Sequence, residues 1–341
     1  MRPARLLAAF GIVVVTSVGV LAWRTGYPVL SCGVLPVDYT PPPSPTGPGA
    51  AVRHVVVVAM ENTPAVEVYQ GADTGYLQSL LTRGAHATNF VDLLKPAVPS
   101  EPHYLLMEAG TATFADRQLC DNEAPSPDHV TASTDHLVTQ MAAASPPVSW
   151  MSYQEGLDPA TTGACPIVAS GAYAPKHNPF VFFTDIVGNP PSSTNEFCAL
   201  HHRPASRLAE DLQSGALADY VFVTPDLCND MHDRCGSARS REAGGDEWLR
   251  VNLPPILDFA DRNDGVVFLV WDEGSLSDSV LPFYAFGPAV KPAYAASGTF
   301  THRSMLRSIE TMFGLPILPT VKGANDLAEM FVGDRLPVRQ P

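Results

Sequence analysis

Acidic and amide side chains follow two widely separated apolar runs of this sequence. Glu61 and Asn62 come directly after one run, and Asp272 and Glu273 come directly after another. Carboxylate and amide oxygens are the ligands that hard divalent cations prefer in proteins. The four residues therefore predict a divalent metal site, and the residue types do not identify the metal.

A third apolar run, residues 220–224, is followed by Asp226, with Asp230 and His232 close behind. In an open parallel sheet the carboxyl ends of the strands lie along one rim, where ligands bind, so these groups are expected to meet the first two. Taken singly, each acidic residue is better explained by the polarity of turns. Their recurrence after three runs favours the metal site.

Ser100 is the candidate nucleophile. It lies in the segment Pro99-Ser100-Glu101-Pro102-His103-Tyr104, where prolines on both sides restrict the backbone. The chain has no GxSxG motif, so activation by a hydrolase triad is unsupported, and a bound cation that lowers the pKa of the hydroxyl is the alternative. The other interpretation is a helix-capping serine in a proline-rich turn.

The elements that must position these residues alternate between short apolar runs and amphipathic stretches. Strands are predicted at 54–60, 148–152, 220–224, 266–271 and 281–286, and helices at 75–83, 248–260 and 304–313. Strands apolar on both faces and separated by helices indicate a mainly parallel sheet covered on each side. The predicted fold is a three-layer α/β/α sandwich.

Seven segments in this order resemble the phosphoesterase family that includes acid phosphatases and bacterial phospholipases C, whose fold is similar to that of the alkaline phosphatase superfamily. The segments are residues 60–62, 99–104, 176–180, 224–233, 245–249, 271–273 and 301–304. The resemblance extends from about residue 55 to 313. It implies an alkaline phosphatase-like fold and hydrolysis of phosphate esters.

The resemblance also implies site residues. Ser100 would become transiently phosphorylated, and His232 would contact phosphate or protonate the leaving oxygen. The implied metal ligands are Glu61, Asn62, Asp272 and Glu273, and the implied substrate contacts are His103, Asn229, Asp230, His177 and His302. His103 stands where the family usually has asparagine, so its contact with a phosphate oxygen would depend on pH.

Two of these residues, and two others in the sequence, have plain structural explanations as well. His177 is equally well explained by a structural Asn-Pro loop, and His302 by a position at the start of a helix. Asp246 is predicted to be the N-cap of the helix containing Trp248. His202, with no strand pattern around it, is predicted to lie in a surface loop.

The amino terminus predicts export. Residues 1–23 combine basic residues with a long apolar run and are either a signal peptide or a membrane anchor, residues 24–51 are a proline-rich linker, and residues 52–341 are the phosphoesterase domain. A weaker alternative is lipid attachment at Cys32. The product would be secreted, or anchored to the outer face of the cytoplasmic membrane.

The six cysteines of an exported chain predict disulfides, and six cysteines permit 15 pairings. Cys228 and Cys235 are close enough in sequence to pair and would brace the loop that contains His232. The sequence does not choose among pairings of the other four.

The net charge of −14 excludes a broad nucleic-acid footprint. The predicted function is metal-dependent hydrolysis of a phosphate ester, of the acid phosphatase type, through Ser100. The alternatives are a phospholipase C-type phosphodiesterase and a noncatalytic exported binding protein that contains a metal.

Overall fold

The computed structural model describes residues 32–39, 49–95, 97–157, 163–275 and 277–340. The segment predicted as signal peptide or anchor, residues 1–23, lies outside these ranges. Within them, no helix has both the length and the hydropathy that a membrane crossing needs.

Twelve strands are present in the described part of the chain. They are β1 (Ala51–Val52), β2 (His54–Met60), β3 (Ala85–Ala87), β4 (Phe90–Val91), β5 (Trp150–Gln154), β6 (His202–Pro204), β7 (Tyr220–Thr224), β8 (Gly265–Trp271), β9 (Val280–Leu281), β10 (Phe283–Phe286), β11 (Tyr294–Ala296) and β12 (Val338–Arg339). Eight of them form the central sheet in the order β11-β3-β10-β8-β2-β7-β5-β6. The five strands from β8 to β6 are parallel, and β10 is antiparallel to both of its neighbours.

The described α-helices number nine. They are α1 (Ala65–Gln70), α2 (Gly75–Leu80), α3 (Ser100–Ala109), α4 (Leu137–Ala143), α5 (Thr184–Val187), α6 (Glu196–Leu200), α7 (Leu208–Ser214), α8 (Arg241–Arg262) and α9 (His302–Phe313). Helices α3, α4 and α9 pack on one face of the sheet, and α1, α2, α7 and α8 on the other. The predicted three-layer α/β/α sandwich with a mainly parallel sheet is confirmed.

Strand β2 shows why the strands have no polar face. Val55 and Val57 belong to one hydrophobic core, whereas Val56 and Val58 belong to the core on the opposite side of the sheet. Successive side chains of a strand point to opposite faces, so a central strand covered by helices on both faces must be apolar throughout. This is the physical origin of the unbroken run from Val55 to Met60.

Two local predictions are wrong. The helix containing Trp248 begins at Arg241 with Ser240 as its N-cap, so Asp246 lies inside it and instead accepts hydrogen bonds from the first-turn amides of α2. His202 lies in β6 and is buried, not in a surface loop. Both errors have one cause. The environment of each residue is determined by a partner distant in sequence, α2 for Asp246 and β5 for His202.

All six cysteines are paired, as Cys32–Cys120, Cys165–Cys198 and Cys228–Cys235. The predicted Cys228–Cys235 bridge is therefore present. Because the Cys32 sulfur is bonded to Cys120, it cannot also carry a lipid. Residues 32–39 lie against the domain, where Leu35 donates a backbone hydrogen bond to Leu93.

A buried histidine at the start of α4 makes stability dependent on pH. His136 is fully buried between Glu108 and Asp185, at 2.9 and 3.1 Å. Burial alone would lower the pKa of His136, but the two carboxylates outweigh it and raise the pKa from 6.5 to about 9. A proton held more tightly in the folded state stabilises that state. The contribution is complete below pH 6.5 and is lost as the pH rises through 9.

We therefore expect His136→Gln to be most destabilising at pH 6. The difference in unfolding free energy between the wild type and this variant should shrink by roughly 3 kcal/mol between pH 6 and pH 9.5. Denaturant unfolding with the disulfides intact measures it, and His54→Gln serves as a control for histidine loss elsewhere. A difference that does not change with pH would contradict this assignment.

Candidate active site

The candidate active site lies where three neighbouring parallel strands end. Strands β8, β2 and β7 are adjacent in the middle of the sheet, and their carboxyl ends carry the polar segments singled out by the sequence. The backbone joins these ends, because the Asp272 amide donates to Met60 and the Glu61 amide donates to Asp230, at 3.0 and 2.8 Å. Residues about two hundred positions apart are thereby held together.

Two of the four residues predicted to bind metal contact the Ser100 hydroxyl, and the other two are joined to them by hydrogen bonds. Ser100 Oγ lies 3.1 Å from Glu61 Oε2 and 3.3 Å from Glu273 Oε1. Asn62 Nδ2 donates to Glu61 Oε2 at 2.8 Å, and the Asn62 amide donates to Asp272 Oδ1 at 3.0 Å. Asn62 adopts a φ of 50°, in the left-handed region that asparagine tolerates better than most residues. The sequence-predicted ligand set and nucleophile thus share one site.

Ser100 is the first residue of α3 and is 2% exposed. The amino terminus of a helix carries partial positive charge and unpaired amide groups, which favour an anion. Pro99 precedes the helix and Pro102 lies in its first turn, where a missing amide hydrogen costs no helical hydrogen bond. An alkoxide or phosphoserine at Ser100 would therefore be stabilised by the backbone of α3.

The carboxylates of this site are of a type and arrangement that fit a cation. Burial, with the neighbouring Glu61 charge, raises the pKa of Asp272 well above its ordinary value, and burial raises the pKa of Glu273 to about 7. Among the described residues, Glu61 Oε1 and Asp272 Oδ2 are buried without a hydrogen-bond partner. Unpaired buried oxygens are costly, and a bound cation would remove that cost. The oxygen-rich donor set fits a divalent metal.

His177 forms the opposite wall of the site. Its Nε2 lies 2.9 Å from Glu61 Oε1 and its Nδ1 lies 3.0 Å from Asp230 Oδ2, although neither contact to the carboxylates has the angles of a good hydrogen bond. The ring stacks on Tyr104 with a centroid separation of 5.1 Å. Burial would lower the pKa of His177, but Glu61 and Asp230 outweigh it and raise the pKa to about 9. His177 therefore places positive charge beside the carboxylates.

The loop after β7 presents His232 to the same space. The His232 amide donates to Asp230 Oδ1 at 2.8 Å, and its side chain is 27% exposed. His232 Nε2 lies 2.8 Å from Lys176 Nζ, and Nδ1 lies 2.9 Å from Asp233 Oδ1. The imidazole is thus oriented from both sides and remains accessible to solvent.

A close contact with α8 holds this loop. Met231 is fully buried with a φ of 80°, a conformation that is strained for an unbranched side chain. A Cβ at Gly245 would lie 2.4 Å from Met231 Cγ, so α8 needs glycine here. Met231 is therefore locked under the loop, between Asp230 and His232.

The remaining predicted substrate contacts bond to protein groups, and one of them, His103, lies beside Asp272 and Glu273, with ligand atoms of the three residues within 4.8 Å of one another. His103 is fully buried and contacts Pro99 O and Asp92, and His302 is fully buried with Nε2 2.9 Å from Trp271 O. Asn229 directs its amide to Glu155 at 3.0 Å. The structure brings His177, Asp230 and His232 together around Glu61 and leaves these three side chains engaged with protein groups.

Three residues that line or support the site were missed at the level of sequence. Lys176 contacts His232, Asp92 lies 3.2 Å from His103, and Glu155 accepts hydrogen bonds from the loop after β7. Asp92 follows β4 and Glu155 follows β5, so both carry the same signal of an acidic residue at the end of a strand. Lys176 is adjacent to His177 and carries no separate signal.

The sheet, the rim of carboxylates and a serine at a helix amino terminus together form one candidate catalytic centre. The Phosphoesterase family model matches residues 67–316, and this chain belongs to that family. The prediction of a phosphoric ester hydrolase is thereby confirmed.

Named relatives are phosphatases. A phosphatidylinositol-3-phosphatase of Mycobacterium tuberculosis is 26% identical over 264 residues, which are 77% of each chain. The phosphate-repressible acid phosphatase of Penicillium chrysogenum is 27% identical over 282 residues, 79% of this chain and 61% of the fungal protein. The chain thus spans somewhat less than two thirds of that fungal relative.

One solved structure shares the fold. Murine ectonucleotide pyrophosphatase/phosphodiesterase 5, in complex with AMP, superimposes with a TM-score of 0.50 at 10% identity, over 78% of this chain and 96% of that chain. At this identity the likeness concerns the fold alone.

Proposed function

We propose that this protein hydrolyses phosphate monoesters in a metal-dependent reaction through a phosphoserine at residue 100. The observation that carries the proposal is the Ser100 hydroxyl, held at the start of α3 within 3.3 Å of two carboxylates. The names of the relatives support a monoester substrate.

A divalent cation held by Glu61, Asn62, Asp272 and Glu273 would supply Lewis acidity and lower the pKa of the serine hydroxyl. Side chains of the protein carry out the attack, the proton transfers and the stabilisation of charge. Ser100 Oγ attacks phosphorus while the ester P–O bond breaks, and the hydroxyl proton passes to a carboxylate oxygen of Glu61 or Glu273. His177 and the positive end of the α3 dipole stabilise the charge that spreads over the phosphoryl oxygens.

The leaving oxygen needs a proton, and we assign its delivery to His232. Its Nε2 lies 2.8 Å from Lys176 Nζ, and Asp233 contacts the other ring nitrogen, so the imidazole is held in place for proton transfer. In the second step water attacks phosphorus and gives a proton to His232, the bond to Ser100 Oγ breaks, and the serine recovers its proton from the carboxylate as inorganic phosphate leaves.

We expect His232→Asn to slow the hydrolysis of alkyl phosphates by roughly 10²- to 10⁴-fold, the usual contribution of a general acid. The loss should be much smaller for an aryl phosphate whose leaving group is already a weak base. The measurement is kcat for a series of esters graded by leaving-group pKa. Equal losses across the series would reject proton delivery by His232.

The substrate class is tested with a phosphate monoester, a phosphodiester and a choline phospholipid, each assayed with and without chelator. Turnover of the monoester alone, abolished by chelator and restored by a divalent metal, is the expected result. Turnover restricted to diesters would favour a phospholipase C-type activity. Binding without turnover of any ester would favour the noncatalytic alternative.

We also infer export from the cell. Three disulfides support it, because such bridges persist in oxidising compartments. Cell fractionation tests it, and protein confined to the reducing cytosol with free thiols would contradict it.

A further inference from the structure

A second group of side chains that could bind a metal includes Glu101, the residue that follows Ser100. His129 Nε2 lies 2.7 Å from Glu101 Oε1 and 3.6 Å from Asp121 Oδ1. The ligand atoms of all three residues lie within 4.8 Å of one another. Glu101, Asp121 and His129 are called the loop cluster below. It shares no residue with the carboxylates around Ser100.

Glu101 provides an independent sign of a missing ligand. Its side chain is 0% exposed, and its Oε2 is buried without a hydrogen-bond partner among the described residues. The Glu101 amide, by contrast, is satisfied by Asn122 Oδ1 at 2.9 Å. A carboxylate oxygen left unpaired in the interior costs free energy, whereas a cation at the loop cluster would satisfy it.

We propose that Glu101, Asp121 and His129 bind a zinc ion. One imidazole nitrogen and two carboxylate oxygens form a donor set that suits zinc, whereas calcium and magnesium prefer oxygen ligands alone. Two carboxylates and a neutral imidazole also balance the charge of a divalent cation. Asp121 is 62% exposed, so solvent can supply the fourth ligand.

The geometry needs only a small adjustment. Zinc–nitrogen and zinc–oxygen distances of about 2.0 to 2.2 Å in a tetrahedron place the ligand atoms about 3.3 Å apart. His129 Nε2 and Asp121 Oδ1 are already near that separation, and the contact between His129 and Glu101 must open by about half an ångström.

The cluster connects two parts of the chain. Asp121 follows Cys120, which is bridged to Cys32, and Glu101 lies in the first turn of α3. Zinc would therefore fasten the loop from Cys120 to His129 onto the helix that begins at the nucleophile. This consequence for catalysis rests on the proposed function, but the binding of zinc does not.

The test uses tag-free protein carrying Asp272→Asn and Glu273→Gln, which disable the carboxylate site around Ser100. Calorimetric titration with zinc chloride should give one equivalent in this background. Adding Asp121→Asn or His129→Gln should weaken zinc binding at least 100-fold. Glu123→Gln is the matched control, because it removes a nearby charge but no ligand atom, and it should leave the stoichiometry at one.

Circular dichroism confirms that each variant is folded, and Asp121 is exposed enough to be replaced without loss of the core. If the background double variant does not fold, metal analysis of the wild type against Asp121→Asn replaces the titration, with one fewer zinc expected in the variant. Equal zinc binding in Asp121→Asn, His129→Gln and Glu123→Gln would mean an adventitious ion only and overturn the proposal. Absence of zinc from the background protein would also overturn it, whatever the result of the Ser100 tests.

Discussion

Ser100→Ala is expected to reduce kcat for an aryl phosphate by about 10³-fold or more. Removal of the nucleophile abolishes the covalent route and leaves only binding and electrostatic stabilisation of a direct attack by water. The serine is fully buried against Glu61 and Glu273, so its loss should not alter the fold or the metal content. Steady-state kinetics with measured metal occupancy provide the test.

A matched control is Ser79→Ala on α2, a serine that bonds only to the backbone of its own helix. Its kcat should equal that of the wild type. Acid-quenched wild-type enzyme should contain phosphate on Ser100, detectable by mass spectrometry of the peptide. Unchanged turnover in Ser100→Ala would eliminate this residue as nucleophile, and phosphate on another residue would reassign the intermediate.

Removal of the metal is expected to have the second large effect. In the metal-free protein, substitution of a ligand residue should raise the melting temperature. In the wild type, chelation should abolish turnover and lower the melting temperature, because Glu61, Asp272 and Glu273 are left buried together without a cation. In Asp272→Asn, kcat should already be reduced by about 10³-fold or more. This is the size of the loss when a group that stabilises charge in the transition state is removed. The metal-free form of this variant should melt at a higher temperature than metal-free wild type, since the free-energy cost of burying Asp272, whose pKa burial and Glu61 raise well above its ordinary value, is removed with the carboxyl group.

The measurements are calorimetric melting temperatures and kcat, each with saturating metal and after chelation. Asp258→Asn, an exposed carboxylate on α8, is the control and should respond to chelator as the wild type does. A melting temperature of the wild type that chelator does not change, together with retained activity, would exclude a metal site at these carboxylates.

Much of the layout could be predicted because it depends on local pattern. The runs that form β2, β7 and β8 are apolar except for His54 and Thr224 at their ends, which is typical of strands covered on both faces. The rule that parallel strands share one carboxyl rim then predicts that Glu61, Asp230 and Asp272 approach one another. The Cys228–Cys235 bridge was predictable for the same reason, since its short separation limits where the two sulfurs can be.

Other features depended on partners that no local pattern reveals. Asp246 has the type and position of a helix cap, but the amides it caps belong to α2, about 170 residues earlier. His103 follows Ser100 in a motif with functional meaning, yet it contacts Asp92, which the chain brings in from β4. Composition and periodicity contain no information on such pairings.

By itself, the sequence determined the α/β/α class, the strands that end in ligands and the candidate nucleophile, because alternation, burial and turn chemistry are properties of neighbouring residues. Only the tertiary structure decided the pairing of Cys32 with Cys120 and of Cys165 with Cys198, the seating of His177 between two carboxylates, and the approach of Lys176 to His232. Those contacts join segments whose separation in space is set by strand order and loop packing, and these depend on the whole chain at once.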